Sequence, residues 1–444
     1  MNWLHNGVQF FFPLNMSRSF GINALVGYIR FVNESMMIRK RYTIGLDNLP
    51  AEGSRYFIIS NHQNTANDPI NIIFALPFRY TITVMARANV FYLNKYFTKL
   101  LYALGLVPAF RSDFDGSDTV EKNNESFDLI AQRVNSCNPF LVFPEGGHTQ
   151  GHYLDPFTTG FVRIAFYAAQ QTGWKEDIQI VPTAHHYHDF FAVHSDFLWS
   201  IGKPLSLKPF YEEYQAHPYK VMRRVKNLMH QQVGELLLDV GEKDYEIKDF
   251  FIRTSALNPS SLLDIELPER LKAEKIFFAS LNANPHYDEI IALSHELKAA
   301  EEAVGLDDVT IEKKPALSSS VATICLLALI SPLFIVSLWP NILCYRLPLR
   351  LLRTDKMFTN TYRYFISALV IYPFSAIITL AVLWGCFGQP WLALVWILLW
   401  FPLARFGLYY YGQCKRVAQI WRYNRLKDKI QNIEMLRKKI KDLL

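Results

Sequence analysis

The segment Ser60-Asn61-His62-Gln63-Asn64-Thr65-Ala66-Asn67-Asp68-Pro69 puts an imidazole shortly before a carboxylate, directly after the apolar run Arg55-Tyr56-Phe57-Ile58-Ile59. A strand end presents its following residues to a site, and a nearby acid can bind one ring nitrogen and leave the other to accept a proton. With a reference pKa of about 6.5, a histidine so held takes a hydroxyl proton near neutral pH. The plainer alternative makes His62 structural and Asp68 a helix N-cap with Pro69 at the first helical position. A second segment, Phe143-Pro144-Glu145-Gly146-Gly147-His148-Thr149, follows the apolar Phe140-Leu141-Val142. Its paired glycines let a ligand approach the backbone, and the exposed amides of such a turn favour an anion, although a tight strand-to-loop turn needs the same residues. Glu145, beside apolar residues, requires a partner such as a substrate hydroxyl or a basic side chain. Between the two lies Gly105-Leu106-Val107-Pro108-Ala109-Phe110-Arg111, whose arginine can grip a phosphate bidentately; taken alone, such an arginine is more often solvated.

These residues need elements to position them. From Arg55 to about Phe210, β-rich runs (RYFIIS, YTITVMA, FLVFPE, IQIVPT, LWSIGKP) alternate with helical ones, which is an α/β pattern, and we place that domain at residues 43–210. Ahead of it, residues 20–42 carry Ile22, Leu25, Val26, Ile29 and Val32 at helical spacing and end in Arg39-Lys40-Arg41, so residues 1–42 read as an N-terminal interfacial helical segment or a helix packed on the domain. Residues 211–314 are charged and helix-prone without chemical motifs, and form a helical linker or subdomain.

Residues 315–410 read as membrane helices. The uncharged stretch from Pro315 to Tyr345 is 31 residues and that from Tyr364 to Ala404 is 41, against roughly 20 residues per spanning helix. The second is therefore a transmembrane hairpin at 364–404 with its turn at Gly385–Pro390. Arg346, Arg350, Arg353, Lys356 and Arg363 on one flank and the basic residues beyond Ala404 on the other put both flanks in the cytoplasm. A single crossing by 315–345 would leave the N-terminal part outside, where no signal sequence sends it, so we expect a re-entrant hairpin there, bending near Ser331 and Pro332. In the basic tail, 411–444, Leu426, Ile430, Ile433, Ile440 and Leu443 share one helical face that suits either anionic lipid or a coiled contact.

At 444 residues the chain exceeds one ordinary domain, and its 50% hydrophobic content concentrates in the last third. Lys and Arg number 46 against 40 Asp and Glu, and the surplus sits beside apolar segments, which fits phospholipid headgroups rather than nucleic acid. The five cysteines form no CxxC pair and read as reduced thiols. GxSxG, GxGxxG and GxxxxGK[ST] are absent, which argues against serine hydrolases and nucleotide enzymes. A metal at His185, His186, His188, Asp189 and His194 is disfavoured, because adjacent residues of an extended run point to opposite faces.

The order NHxxxxxD, GLVPAFR, FPEGGHT and Ile180-Val181-Pro182-Thr183 resembles the four sequence blocks of the glycerol-3-phosphate and 1-acylglycerol-3-phosphate O-acyltransferase family. Leu154, Pro156, Phe157 and Gly160 are similar to the family's stretch after its third block, and Ile201-Gly202-Lys203-Pro204 to its late strand. The resemblance covers roughly residues 40–210. It implies an α/β, mixed-sheet glycerolipid acyltransferase domain, here with the interfacial helix before it and the α-helical membrane region after it. It implies that His62, paired with Asp68, deprotonates an acceptor hydroxyl for direct attack on an acyl thioester, and that Arg111, Glu145 and Gly146 help bind a glycerol-phosphate acceptor, with Gly147 and position 148 in the same block. The thioester of coenzyme A or acyl carrier protein is a substrate; no cofactor or metal is implied. Partners are then membrane phospholipids, the acyl carrier and the acceptor, with the catalytic domain on the cytoplasmic face.

Three departures stand out. Five residues rather than the usual four separate His62 from Asp68, a form that resembles relatives acting on unacylated glycerol phosphate. Asn67 occupies the usual acid position, but a carboxylate stabilises an imidazolium and an amide does not, so Asp68 is the expected partner. His148 stands where the family has Arg, leaving Arg87 or Lys203 to compensate. Thr158 and Thr159 replace the usual lysine before Gly160. Competing readings are transfer to another lysolipid and a non-catalytic lipid-binding or transport module.

Overall fold

The computed structural model describes residues 20–76, 81–92, 94–110, 119–147, 151–254, 265–351 and 358–444. Its centre is a mixed sheet of eight strands: β1 (Ile38–Ile44), β2 (Arg55–Ile59), β3 (Thr83–Arg87), β4 (Leu106–Ala109), β5 (Phe140–Val142), β6 (Ile178–Tyr187), β7 (Ser195–Ile201) and β8 (Leu205–Ser206). The order across the sheet is β1-β7-β6-β2-β5-β3-β4, with β8 beside β6. Strands β6, β2, β5, β3 and β4 run parallel, whereas β7 and β8 are antiparallel to β6. β2 and β7 are near-continuous apolar runs because both faces of the sheet are covered. Phe57, Ile59, Phe140, Ile178 and Ile180 face one core, and Tyr56, Ile58, Leu141, Val181 and Trp199 face another.

The first core lies under α4 (Thr119–Asn135), α5 (Gly160–Gln171) and α7 (Pro218–Leu236); α2 (Asn67–Ala75), α3 (Lys95–Ala103) and α6 (Tyr211–Ala216) complete the domain's helices. The second core is closed by α1 (Phe20–Val32) and by the roots of the C-terminal apolar helices. A third core unites α8 (Tyr245–Arg253), α9 (Leu267–Ala283), α10 (Tyr287–Val304) and α11 (Asp308–Lys313) into the helical subdomain between sheet and apolar helices.

Strand β6 shapes the strand-end edge of the sheet. It has ten residues against five in β2, and its pairing is split. Ile178–Pro182 pair with β2, while Thr183–Tyr187 run beyond the end of β2 and pair with β7 instead. The overhanging half, with His185 and Tyr187 on one face, stands over the loop that leaves β2.

Two expectations for the flanks change. The helix expected over 20–42 stops short: a π turn at Asn33–Met37 leads into β1, so Arg39, Lys40 and Arg41 are strand residues. They meet protein partners instead of headgroups, Arg39 gripping Asp196 with two 2.7 Å bonds and Arg41 reaching Glu34 and Asn71. α1 itself is docked, since the Tyr28 hydroxyl donates to the Ala368 carbonyl and Phe31 meets Phe401 edge-on. In the tail, the apolar face of α16 (Lys427–Leu443) is covered: Ile430, Ile433, Leu436 and Ile440 are buried against the helical subdomain and Arg437 bonds Glu301. Each such side chain contributes about 1.5–3 kcal/mol of burial, so the coiled contact wins over lipid.

Among the described residues three helices are long and apolar enough to cross a membrane: Leu317–Ser337, which contains α12 (Val321–Ser337), then α14 (Thr359–Phe387) and α15 (Pro390–Arg425). α14 and α15 form a hairpin whose turn lies at Gly388-Gln389, where Gly388 takes φ +68° and caps α14 onto the Trp384 carbonyl. Chain reversal in 315–345 does not occur at Ser331 and Pro332. Pro332 leaves the Ala328 carbonyl without its helical donor, the Ser331 hydroxyl supplies one at 2.9 Å, and the helix continues to Ser337. The chain turns at 338–340 instead, and α13 (Asn341–Leu351) returns beside α14.

Candidate active site

β2 ends at Ile59, and its next residues are pinned under the overhang of β6. The Asn61 side chain mimics a paired strand, donating to the His185 carbonyl at 3.0 Å and accepting from the His185 amide at 2.9 Å. Thr183 donates its hydroxyl to the Ile59 carbonyl at 2.8 Å. His62 is thereby held at the C-terminal edge of the parallel strands, its ring stacked on Phe143 with centroids 4.3 Å apart.

The loop then closes on Asp68. Oδ2 accepts from the amides of Gln63 and Asn64 at 2.7 Å each and from His62 Nδ1 at 2.8 Å, while Oδ1 accepts from the Tyr187 hydroxyl at 2.9 Å. His185 Nε2 lies 3.1 Å from Oδ1, a close charge contact without hydrogen-bond alignment. The carboxylate is fully buried. Burial alone would push it up, but His185 and His62 outweigh that and hold Asp68 well below the usual carboxylate range. An ionised Asp68 only accepts, so Nδ1 of His62 is the donor and Nε2 is the nitrogen with the lone pair. Asp68 is not a helix cap: α2 starts at Asn67 after Ala66, and the carboxylate turns back into the loop.

The support continues inward. The Tyr187 hydroxyl accepts from Asn71 at 3.0 Å, and Asn71 is in turn held by Arg41 through its carbonyl at 2.6 Å and its side chain at 3.2 Å. Burial first, then the Asp68 charge, raises the Tyr187 phenol well above its ordinary value, so it remains a donor.

The third segment meets the first at Glu145, whose Oε1 accepts from the His62 amide at 3.2 Å. Gly146 takes φ +72° and Gly147 has open space where a Cβ would stand, so this turn leaves room beside the carboxylate. The turn is braced from behind by Thr158, whose amide and hydroxyl both donate to the Pro144 carbonyl.

Residues 40–186 match the acyltransferase family model. Those residues form an acyltransferase domain. The matched segment contains both the His62 loop and the Glu145 turn. Among solved structures, the 1-acyl-sn-glycerophosphate (LPA) acyltransferase PlsC of Thermotoga maritima is similar at 15% identity over 48% of this chain and 78% of that one, with a TM-score of 0.35. No curated protein matches the chain.

The other candidate residues are scattered. Arg87 ends β3, exposed, on the same strand-end edge as His62 and two strands away, about 10 Å by sheet spacing. Lys203 is exposed beyond β7, where the antiparallel register and the pairing of β8 with Gln179–Ile180 carry it away from the His185–Tyr187 end. Arg111 and His148 lie outside the described residues. His186 and His188 face away from Asp68: His186 packs on His152, and His188 meets Arg270. Burial pushes both rings below their ordinary value. His185, Tyr187, Asn61 and Asn71 complete the site without a motif of their own; their signals in the sequence are an Asn directly before His62 and alternate His and Tyr on β6. A cavity of about 540 Å³ lined by Trp339, Thr379, Val382 and Trp396 lies well along α14 from this site and takes no part in it.

Glu145 supplies a test of the electrostatics. Burial pushes its carboxyl from 4.5 to about 9, with Asp155 and Asp68 adding to the rise and the His62 amide opposing it. Between those pH values the folded chain keeps a proton that the unfolded chain releases, so stability falls as pH rises through the window. Glu145→Gln removes that dependence. Thermal unfolding of the full chain in detergent is expected to show the variant gaining on wild type at pH 8 and not at pH 5; an equal offset at both values would refute a neutral Glu145.

Proposed function

We propose that this acyltransferase moves a fatty acyl chain from an acyl thioester, of coenzyme A or acyl carrier protein, to a hydroxyl of glycerol-3-phosphate or 1-acylglycerol-3-phosphate. The observation that carries the proposal is the His62–Asp68 pair at 2.8 Å within an acyltransferase domain; with Asp68 ionised, Nε2 is the ring nitrogen left to take a proton. His62 Nε2 takes the acceptor's hydroxyl proton as the oxygen attacks the thioester carbonyl; Asp68 stabilises the imidazolium. Collapse of the tetrahedral intermediate breaks the C–S bond, and the leaving thiolate takes the proton from His62. The ester C–O bond remains. No covalent acyl-enzyme is needed, and no cofactor enters.

A neutral Glu145 suits this role. Its Oε1 already accepts from the His62 amide, and the protonated oxygen has a hydrogen to give to an acceptor oxygen without repelling a phosphate. The open glycine turn beside it leaves room for the same ligand. Arg87 shares this edge and is the cation proposed to meet the phosphate, together with Arg111.

The depth of the site supports a lipid acceptor or product. From Thr361 to Phe387 helix α14 rises about 39 Å at ~1.5 Å per residue, against a hydrocarbon layer of about 30 Å. With the Gly388 turn at the far boundary, the His62 loop, which touches Thr361 through Thr65, sits at headgroup depth. We infer that the catalytic domain is cytoplasmic. A reporter at residue 387 is expected to face the opposite side from one at the C-terminus, since α15 crosses between them; both on one side would refute the spanning hairpin.

The deciding measurement supplies a labelled acyl thioester to membranes containing the protein, with glycerol-3-phosphate and its 1-acyl form in separate reactions. Label is expected in one of the two products. Label in neither, with transfer to a different lysolipid, would move the proposal to that acceptor.

A further inference from the structure

Asp68 can serve His62 only if the five-residue detour between them stays closed, and part of that closure comes from far along the chain. Thr65 sits at φ +48°, a left-handed conformation that a β-branched side chain rarely holds unless its surroundings impose it. Its hydroxyl meets the hydroxyl of Thr361, in the first turn of α14. The same Thr361 oxygen accepts from Asn67 Nδ2 at 3.3 Å. One residue earlier, Asn360 donates to the Phe190 carbonyl at 2.9 Å, and that carbonyl also accepts from Asn64 in the detour. Asn64, Thr65, Asn67, Asn360 and Thr361 are all buried.

The detour therefore has two sides. Gln63 and Asn64 turn their amides inward to Asp68, and Thr65 and Asn67 turn outward to Thr361. We infer that Thr361, with Asn360, is a positioning residue for the His62–Asp68 pair, so that the first turn of the apolar hairpin is a working part of the catalytic loop and not only its anchor. The inference rests on the general-base reading of His62. It also gives the extra residue between His62 and Asp68 a purpose: the longer loop reaches the helix that holds it.

The test uses the full chain in membranes and two backgrounds, wild type and Asp68→Asn. Thr361→Val keeps the shape and removes the hydroxyl; it is expected to lower kcat about tenfold with KM unchanged within about twofold, as loss of alignment does. Thr361→Ser restores the hydroxyl and is expected to recover most of that loss. In an Asp68→Asn background, adding Thr361→Val is expected to cost little more, because both changes disable one unit. Full additivity of the two losses, or wild-type kcat in Thr361→Val, would overturn the positioning role even while His62→Ala is inactive. An active His62→Ala would instead overturn the general-base reading on which the inference stands.

Discussion

Exchange of His62 for alanine is expected to lower acyl transfer by about 10²–10⁴-fold, the range that a positioned proton acceptor supplies. The protein should remain folded, because the side chain is 19% exposed and what is lost is a bond to Asp68 and a stack on Phe143. Asp68 keeps its two amide donors and Tyr187, so the buried carboxylate is not stranded. The measurement is product formation from a labelled acyl thioester at saturating acceptor, with intact membrane extraction as the control for folding. Transfer at the wild-type rate would end the proposed mechanism.

Asp68→Asn is expected to have nearly as large an effect by a different route. The loop amides and His62 Nδ1 share Oδ2: an amide oxygen there still accepts from all three but carries no charge to stabilise the imidazolium, whereas an NH₂ there faces two donors and moves the ring proton to Nε2, where it blocks the reaction. The expected result is a loss of kcat of about 10²-fold or more with little change in KM. Asn67→Ala offers the contrast. Asn67 makes two 3.3 Å bonds, neither of them to His62, and a net hydrogen bond is worth about 1 kcal/mol, so a loss within about fivefold is expected. A dead Asn67→Ala beside an active Asp68→Asn would show the amide to be the orienting group.

Much of the α/β domain can be read from its residues, because β2, β3, β5, β6 and β7 are short apolar or β-branched runs and motifs stand directly after β2 and β5. Strands β1, β4 and β8 are harder. β1 contains Arg39-Lys40-Arg41, whose charges meet Asp196, Glu266 and Glu34, partners distant in sequence or hidden in a helix pattern. A proline interrupts β4, and β8 is two residues long. In the site, the pairing of His62 with Asp68 can be read from local spacing, whereas Tyr187 and His185 reach Asp68 because β6 overshoots β2, a property of register that no single segment displays. The same holds for Lys203. Its position after a strand resembles a site edge, but the strand runs antiparallel and delivers it to the other end. Pro332 shows the opposite lesson, since a neighbouring serine hydroxyl replaces the missing donor and removes the bend that the proline suggests.

The burial of Ile430, Ile433, Leu436 and Ile440 against the helical subdomain bears on how the molecule is made. A ribosome delivers α10 well before α14 and α15, and α16 after both. Until α16 emerges, Ile290, Leu297 and their neighbours lack their cover, and Glu301 lacks the Arg437 guanidinium. The subdomain can therefore close only after the apolar hairpin has been synthesised, so that completion of this fold reports that the hairpin has left the ribosome.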